Sequence, residues 1–437
     1  MKKELGHVAI YDARELGVPR MLLLGLQHLF AMFGATVLVP ILVSSYGLPL
    51  SIQTTLLFAG LGTLLFHLCT KFKVPAFLGS SFAFLGAYGL VTASGQDIPL
   101  TYSCFGVAVA GLVYLVLALF FKLFGAKKVM RFFPPIVTGP IIILIGLNLS
   151  GTAIGNASTN WWLALVAIAV IIVANIWGKG MIKIIPILLG VVVSYVVALI
   201  TGQVDFAAMR EADIVGLQQF VIAKFDITSI LVMAPIAIAA MMEHIGDISA
   251  ISSTTGKNFI EDPGLHRTLL GDGLATAFAG MFGGPANTTY GENTGVLALS
   301  KVYDPRVIRL AALYAIILSF SPKFDALVNS IPTAIVGGVS FVLYGMISAV
   351  GVRNVVENKV DLTKSRNLII AAVIFVSGLG FSSTGGITFT VGSADITLTG
   401  LAIAALAGVL LNAILPGNDY EFGTSVEGDK SADLGSY

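Results

Sequence analysis

The chain has 437 residues, of which 56% are hydrophobic and 11% charged, with a formal net charge of +1. An average soluble domain carries about 25% charged residues, so this composition excludes a soluble enzyme, a disordered protein and a nucleic-acid binder. It leaves an all-α polytopic membrane protein, because the apolar runs are long and unbroken where a transmembrane barrel would alternate.

Residues 1–20 are polar and mixed in charge (Lys2, Lys3, Glu4, Asp12, Arg14, Glu15, Arg20). The apolar run that follows is too long for the h-region of a cleavable signal peptide. Each hydrocarbon crossing needs about 20 apolar residues. Fourteen candidate segments follow in order: 21–44, 52–70, 74–92, 101–121, 132–150, 161–178, 181–201, 227–247, 268–282, 285–300, 307–320, 328–350, 367–380 and 396–415. The third, ninth, tenth and eleventh are short or rich in Gly, Ser and Thr. Cys69 and Cys104 fall in apolar segments without metal-ligand spacing and read as small apolar side chains.

The basic residues test this order, since Lys and Arg accumulate in cytoplasmic loops. Of the 25, 22 lie before segment one, after an even-numbered segment, or in the tail. The exceptions are Arg210, Lys224 and Lys323. One segment more or fewer would scramble the alternation, so both termini are expected in the cytoplasm.

Two pairs of breaks suggest an internal repeat. Pro134 and Gly139 are spaced like Pro332 and Gly337, and the stretches 74–84 and 283–295 each start near a Pro and run into small residues. Two halves of seven segments fit, and because seven is odd the second half would be inverted. Short, interrupted segments at matching positions point to a transporter binding site; Pro and Gly are also common in ordinary membrane helices.

Few acidic residues lie in apolar context. Glu243 follows a long apolar run, Asp247 sits four residues later on the same helical face, and Glu292 lies inside the interrupted tenth segment. Asp272, near the start of segment nine, reads as interfacial. A carboxyl group at membrane depth costs several kcal/mol unless paired, protonated or wetted. Glu243, Asp247 and Glu292 therefore read as a proton-coupled site for a polar ligand, against the alternative of a hydrogen-bonded staple between helices. Unwound backbone in a membrane survives only where covered or lining a cavity. Gly79, Ser80, Ser81 and Phe82 on one side, and Asn287 through Asn293 on the other, are candidates to offer free N–H groups. Phe82 or Tyr290 could stack on a planar ligand. The five histidines are scattered, and His28 and His244 read as structural.

The stretches LQHLFAMFGATVLVP (26–40), VPAFLGSSFAF (74–84), EHIGD (243–247), EDPGLHR (261–267), NTTYGENTGV (287–296) and GGVSFVLYG (337–345) together resemble the nucleobase–ascorbate transporter family. They span nearly all of the apolar region. The resemblance implies fourteen segments in two inverted repeats of seven, with segments three and ten pairing as short antiparallel strands. It implies a core domain of residues 21–124 and 227–322 and a gate domain of 125–226 and 323–416, between a cytoplasmic N-terminus (1–20) and tail (417–437). It also implies proton-coupled uptake of uracil or a related nucleobase at a bacterial inner membrane, by a homodimer joined through the gate domain, without cofactor or metal.

By position, Glu243 and Glu292 match the acidic residues that bond the pyrimidine ring. Phe82 and Gly291 match the backbone donors, Tyr290 an aromatic beside the base, and Tyr344 a gate residue facing it. Ser81 adjoins them, and Asp247 occupies the position linked to proton coupling, where related uracil symporters often have His. The Gly291-Glu292-Asn293 triplet resembles the uracil branch; xanthine or uric acid carriers more often have Gln before that Asn. An inverted-repeat anion exchanger or channel would prefer a cationic site, and the basic residues here are almost all in loops.

Overall fold

The computed structural model describes residues 9–93, 100–218, 220–391, 394–418 and 420. The expectations for residues 1–8 and for most of the tail lie outside them. A chain in hydrocarbon must satisfy its backbone groups internally, and the apolar runs accordingly form helices. Helices α1 (Val18–Ser45) and α2 (Ile52–Cys69) lead to strand β1 (Leu78–Ser80), a tight turn at Phe82–Phe84 and α3 (Leu85–Ala93). Next come α4 (Leu100–Phe124), α5 (Ala126–Met130), α6 (Pro135–Asn148), α7 (Ser150–Ser158), α8 (Trp161–Ile176), α9 (Met181–Ile184) and α10 (Pro186–Ile200). Helix α11 (Ala207–Glu211) precedes α12 (Ile227–Met233), α13 (Ile236–Thr255) and α14 (Leu265–Met281). Strand β2 (Asn287–Thr289) opens onto α15 (Gly291–Ser300), then α16 (Pro305–Ser319), α17 (Pro322–Asn329), α18 (Thr333–Glu357) and α19 (Ser365–Ser383). A hairpin of β3 (Ile387–Val391) and β4 (Ala394–Leu398) precedes α20 (Gly400–Ile414).

Among the described residues, seven helical stretches are long and apolar enough to cross a membrane, or eight if α16 and α17, bent by 90°, count as one. Polar side chains close the ends: Ser51, Asn160, Asp226 and Thr399 each accept from backbone N–H groups in the first turn of the helix that follows, satisfying donors that have no partner within it.

Packing divides the helices into two groups. In one, α4 lies on α14, α2 on α14 and α16, α1 on α16, and α12 on α4. In the other, α6, α7 and α8 pack on α18, α10 on α8, and α19 on α6 and α20. Small residues allow the close approaches, as is common between membrane helices. A Cβ on Gly111 of α4 would meet the backbone of Ala277 and stand 2.6 Å from the Gly273 carbonyl oxygen of α14. The arrangement repeats itself between the halves of the chain: α4 on α14 has its counterpart in α16 on α2, and α8 with α10 in α19 with α20.

The same relation holds bond by bond where the two halves meet. Strands β1 and β2 pair antiparallel, with Leu78 opposite Thr289, Gly79 opposite Thr288 and Ser80 opposite Asn287. The Ser81 N–H donates to the Ala286 carbonyl (2.8 Å), and its counterpart Tyr290 N–H to that of Phe77 (3.0 Å). The outer edge of each strand is closed by a threonine. Thr63 Oγ1 of α2 accepts from Leu78 N (2.9 Å) and shares its proton between Ala59 O (2.8 Å) and Leu78 O (3.3 Å). Thr276 Oγ1 of α14 accepts from Asn287 N (3.1 Å) and donates to Asn287 O (3.0 Å). Strand backbone is thereby accommodated at the centre of an apolar protein, where an open edge would be costly.

The N-terminal segment is strapped across one end of this assembly. Ile10 N–H donates to Lys301 O and Tyr303 N–H to Ile10 O, both at 2.8 Å, and Ala13 N–H donates to Asp304 Oδ2 at 2.7 Å. Arg306 bridges Asp12 and Asp304, 2.9 Å from each. The Arg14 guanidinium holds the Asp12 carboxyl well below the usual carboxylate range. A lowered carboxyl contributes above its unfolded value and is lost only as pH falls through its folded value. The Asp12–Arg14 pair within the strap therefore persists through mildly acidic pH. In hydrogen exchange, Ala13 N–H should be protected in the wild type. Asp304→Ala should lower that protection by about tenfold, the loss of one charge-assisted bond of roughly 1.5 kcal/mol. Unchanged protection in the variant would mean that the segment is held by other contacts.

Candidate functional site

The strand pair ends in two helix N-termini that face the middle of the protein. One is the turn Phe82–Phe84 leading into α3, and the other is α15, beginning at Gly291. Neither Ser81 nor Tyr290, the residues that precede them, caps its helix with a side-chain bond. The first N–H groups of each thus remain without an intrahelical partner, and each end carries the positive pole of a helix dipole. Such ends bind electronegative atoms.

Helix α13 runs beside them and supplies Glu243 and Asp247, while α15 itself carries Glu292. Asp247 Oδ2 accepts from Thr289 Oγ1 at 2.9 Å, which ties α13 to β2. A Cβ on Gly291 would lie 3.7 Å from Asp247 Oδ1, so Gly291 and Asp247 are neighbours. Glu243, one turn earlier, lies within electrostatic range of both Asp247 and Glu292. Its Oε2 is buried and accepts no hydrogen bond. A buried acceptor without a partner costs about 1–3 kcal/mol, so this oxygen has the character of one that a ligand or a proton completes.

The aromatic side chains divide into two roles. Phe82 is buried and meets Tyr344 of α18 edge to face, with centroids 5.7 Å apart; this contact joins the two helix groups. Tyr290 instead lies back on the strands. Its hydroxyl donates to Ser80 O at 2.8 Å, and any side chain at Gly79 would collide with its ring. Ser81 spends its amide on Ala286 and keeps a buried hydroxyl without a partner. A cavity of ≈ 140 Å³ reaches Phe82 between the groups, bordered by Gly86, Asn148, Ser382, Thr399 and Leu401.

Asp272 corrects the sequence reading. It is fully buried in α14, with Oδ2 2.9 Å from Nδ1 of the equally buried His244. Gly271 and Gly273 on either side of Asp272 let α2 and α4 close on α14, which seals this carboxyl inside the protein. The pair stands on the residue next to Glu243, with the Phe66 ring edge-on to His244. The signal available in the sequence was the Gly-Asp-Gly triplet of a close-packed helix face. His28 also borders the site: Asn293 Nδ2, one residue past Glu292, donates to the His28 carbonyl at 3.0 Å. Among the described residues, no group of three or more His, Cys, Asp or Glu is arranged to hold a metal ion.

Paired half-helices with acidic groups beside them, inside a multi-pass membrane protein, are suited to holding a polar ligand within the membrane. The family model described as Permease family matches residues 19–386, and the chain belongs to this family, that of the nucleobase–ascorbate transporters. It is 44% identical to the uracil permease of Bacillus caldolyticus over 416 residues, covering 92% of this chain and 93% of that one. It is 41% identical to the uracil permease of Bacillus subtilis (strain 168), covering 90% and 91%, and 38% identical to that of Escherichia coli (strain K12), covering 90% of each. In fold it resembles the transmembrane domain of the cyanobacterial bicarbonate transporter BicA, with a TM-score of 0.56, 15% identity and coverage of 90% and 96%. It also resembles the murine anion transporter Slc26a9 in its inward-facing state, with a TM-score of 0.63, 12% identity and coverage of 91% and 68%.

Proposed function

We propose that the protein takes up uracil together with protons across the bacterial cell membrane, by alternating access. The observation that carries this reading is the buried, unpartnered Glu243 Oε2 on α13, the helix that packs against both the Phe82–Phe84 turn and α15. Uracil is planar and neutral, with two N–H donors and two C=O acceptors. Glu243 and Glu292 accept from the N–H groups, while the backbone N–H groups of Phe82 and Gly291 donate to the carbonyls. Phe82 and Tyr344 border the ring, Tyr290 and Ser81 hold the half-helices in place, and Asp247 exchanges the coupled proton. The 38–44% identity to proteins named uracil permease supports this ligand.

The chain is assigned fourteen segments in two inverted repeats of seven. The recurrence of packing between the halves and the matched Thr63 and Thr276 bonds support that assignment. The core domain comprises 21–124 and 227–322, and the gate domain 125–226 and 323–416. The core moves against the gate about the Phe82–Tyr344 contact, and two copies associate through the gate. Both termini face the cytoplasm, on the side where basic residues accumulate.

Equilibrium binding to the purified protein tests the ligand. An analogue with one ring N–H replaced by N-methyl leaves a buried carboxylate oxygen unpaired and should bind at least a hundredfold more weakly than uracil. Equal affinity for the two would contradict the assigned contacts, and tighter binding of xanthine would move the protein to the purine branch. Proton exchange at Asp247 has its own test. Asp247→Asn should bind uracil yet lose gradient-driven accumulation, while Asp247→His, which can still carry a proton, should retain part of it with a shifted pH profile. Wild-type transport by both variants at every pH would remove Asp247 from the coupling.

A further inference from the structure

Three helix ends bring cations together on the basic face of the core helices. Lys71 lies just past the end of α2, Lys122 in the last turn of α4, and His266 and Arg267 in the first turn of α14. Lys71, Lys122 and Arg267 all lie within electrostatic range of the His266 ring. Helix α5, with Lys127 and Lys128 exposed, packs beside them on α4 and on residues 260–264. Two acidic residues are near, Glu261 and Asp262, and Asp262 is already engaged by Lys73 at 2.6 Å. Among the described residues, no carboxylate forms an ion pair with Lys71, Lys122 or Arg267.

Lys71 and Lys122 suit the negative ends of their helices. Arg267 does not: it stands at a helix N-terminus, where the dipole disfavours a cation and favours an anion, beside the His266 ring, which burial and the neighbouring cations hold toward its neutral form, with an N–H to donate. Arg267 reaches away to donate to the Cys69 carbonyl at 3.1 Å, which brings its charge to the end of α2. One turn deeper the same helices present bare apolar side chains, with Leu68 61% and Leu119 52% exposed, while Leu123, also exposed, flanks Lys122 at the end of α4. A cluster of cations above an apolar helix surface has the two-part chemistry of a phospholipid: charge for the headgroup, hydrocarbon for the chains.

We propose that Lys71, Lys122, His266 and Arg267 hold the phosphate of an anionic phospholipid whose chains lie on Leu68 and Leu119. The lipid neutralises the repulsion among the cations. It sits where α5 connects the core helices to α6, so its occupancy stiffens that connection. This site is independent of the transported ligand.

The test is native mass spectrometry of the full chain, exchanged into an equimolar mixture of phosphatidylglycerol and phosphatidylethanolamine. The wild type should retain phosphatidylglycerol over phosphatidylethanolamine by at least tenfold. The double variant Lys122→Gln/Arg267→Gln should lose at least fivefold of it. Lys179→Gln/Lys183→Gln, at a different basic loop, should lose none. Should the first double variant fail to fold, Lys71→Gln, at an exposed side chain, should show at least a twofold loss. Equal loss in both double variants would reduce the effect to diffuse attraction and overturn the site, as would absence of any lipid preference. Displacement of the lipid by inorganic phosphate alone would make it a small-anion site and overturn the assignment to lipid.

Discussion

Glu292→Gln should weaken uracil binding by about thirtyfold, equivalent to about 2 kcal/mol. The substitution keeps the length of the side chain and removes its charge. A carboxylate offers only acceptors to a ring N–H, whereas the amide can turn a donor toward it. Glu292 begins α15 and stands beside Gly291, so the amide also loses the favourable interaction of a negative charge with a helix N-terminus. Glu243→Gln should act in the same direction with a larger effect on transport, because its Oε2 lacks any partner within the protein. Isothermal titration of uracil into the purified variants reads both. Wild-type affinity in Glu292→Gln would take that residue out of the site.

Gly111→Leu should strongly destabilise the helix framework. The Cβ alone collides with backbone of α14, which cannot move aside as a side-chain end can. Overpacking of this kind costs about 1–3 kcal/mol or more. It would also part α4 from α14, the helix that carries Asp272 and, through Thr276, holds β2. The unfolding midpoint in detergent should fall by several degrees, with loss of the monodisperse species. Gly151→Leu is the control: nothing lies within 4 Å of a Cβ there, and its midpoint should match the wild type. Equal midpoints for the two variants would show that α4 and α14 do not depend on this approach.

The helices were legible because an apolar run of membrane length has few alternatives. The breaks at 74–84 and 283–295 were also legible, since Pro and small residues interrupt the apolar pattern at corresponding places. The bonds that make those breaks tolerable were not. That Thr63 and Thr276 close the strand edges depends on α2 and α14 passing alongside, which no local pattern records. Asp272 was misread for a similar reason. Its position near the start of an apolar run suggests an interface, while its burial depends on His244 in another helix and on glycines that admit α2 and α4. The hairpin β3–β4 was missed although residues 387–391 alternate Ile, Thr, Phe, Thr, Val, a period-two pattern. The expected fourteenth segment, 396–415, overlaps its second strand. The hairpin lies against α12 and so bridges the two helix groups, a contact made by tertiary packing alone. Within the site, the carboxyl groups stood out by their apolar surroundings, whereas the placement of Tyr290 against Gly79, with its hydroxyl on Ser80, required the strand register.

The central claim is that this permease couples uracil to protons. Its most direct test is uptake of radiolabelled uracil into proteoliposomes containing only this protein, with and without an inward proton gradient. Accumulation above the external concentration that requires the gradient, and that collapses when a protonophore is added, is the predicted result. Uptake that only equilibrates and is indifferent to the gradient would contradict the account.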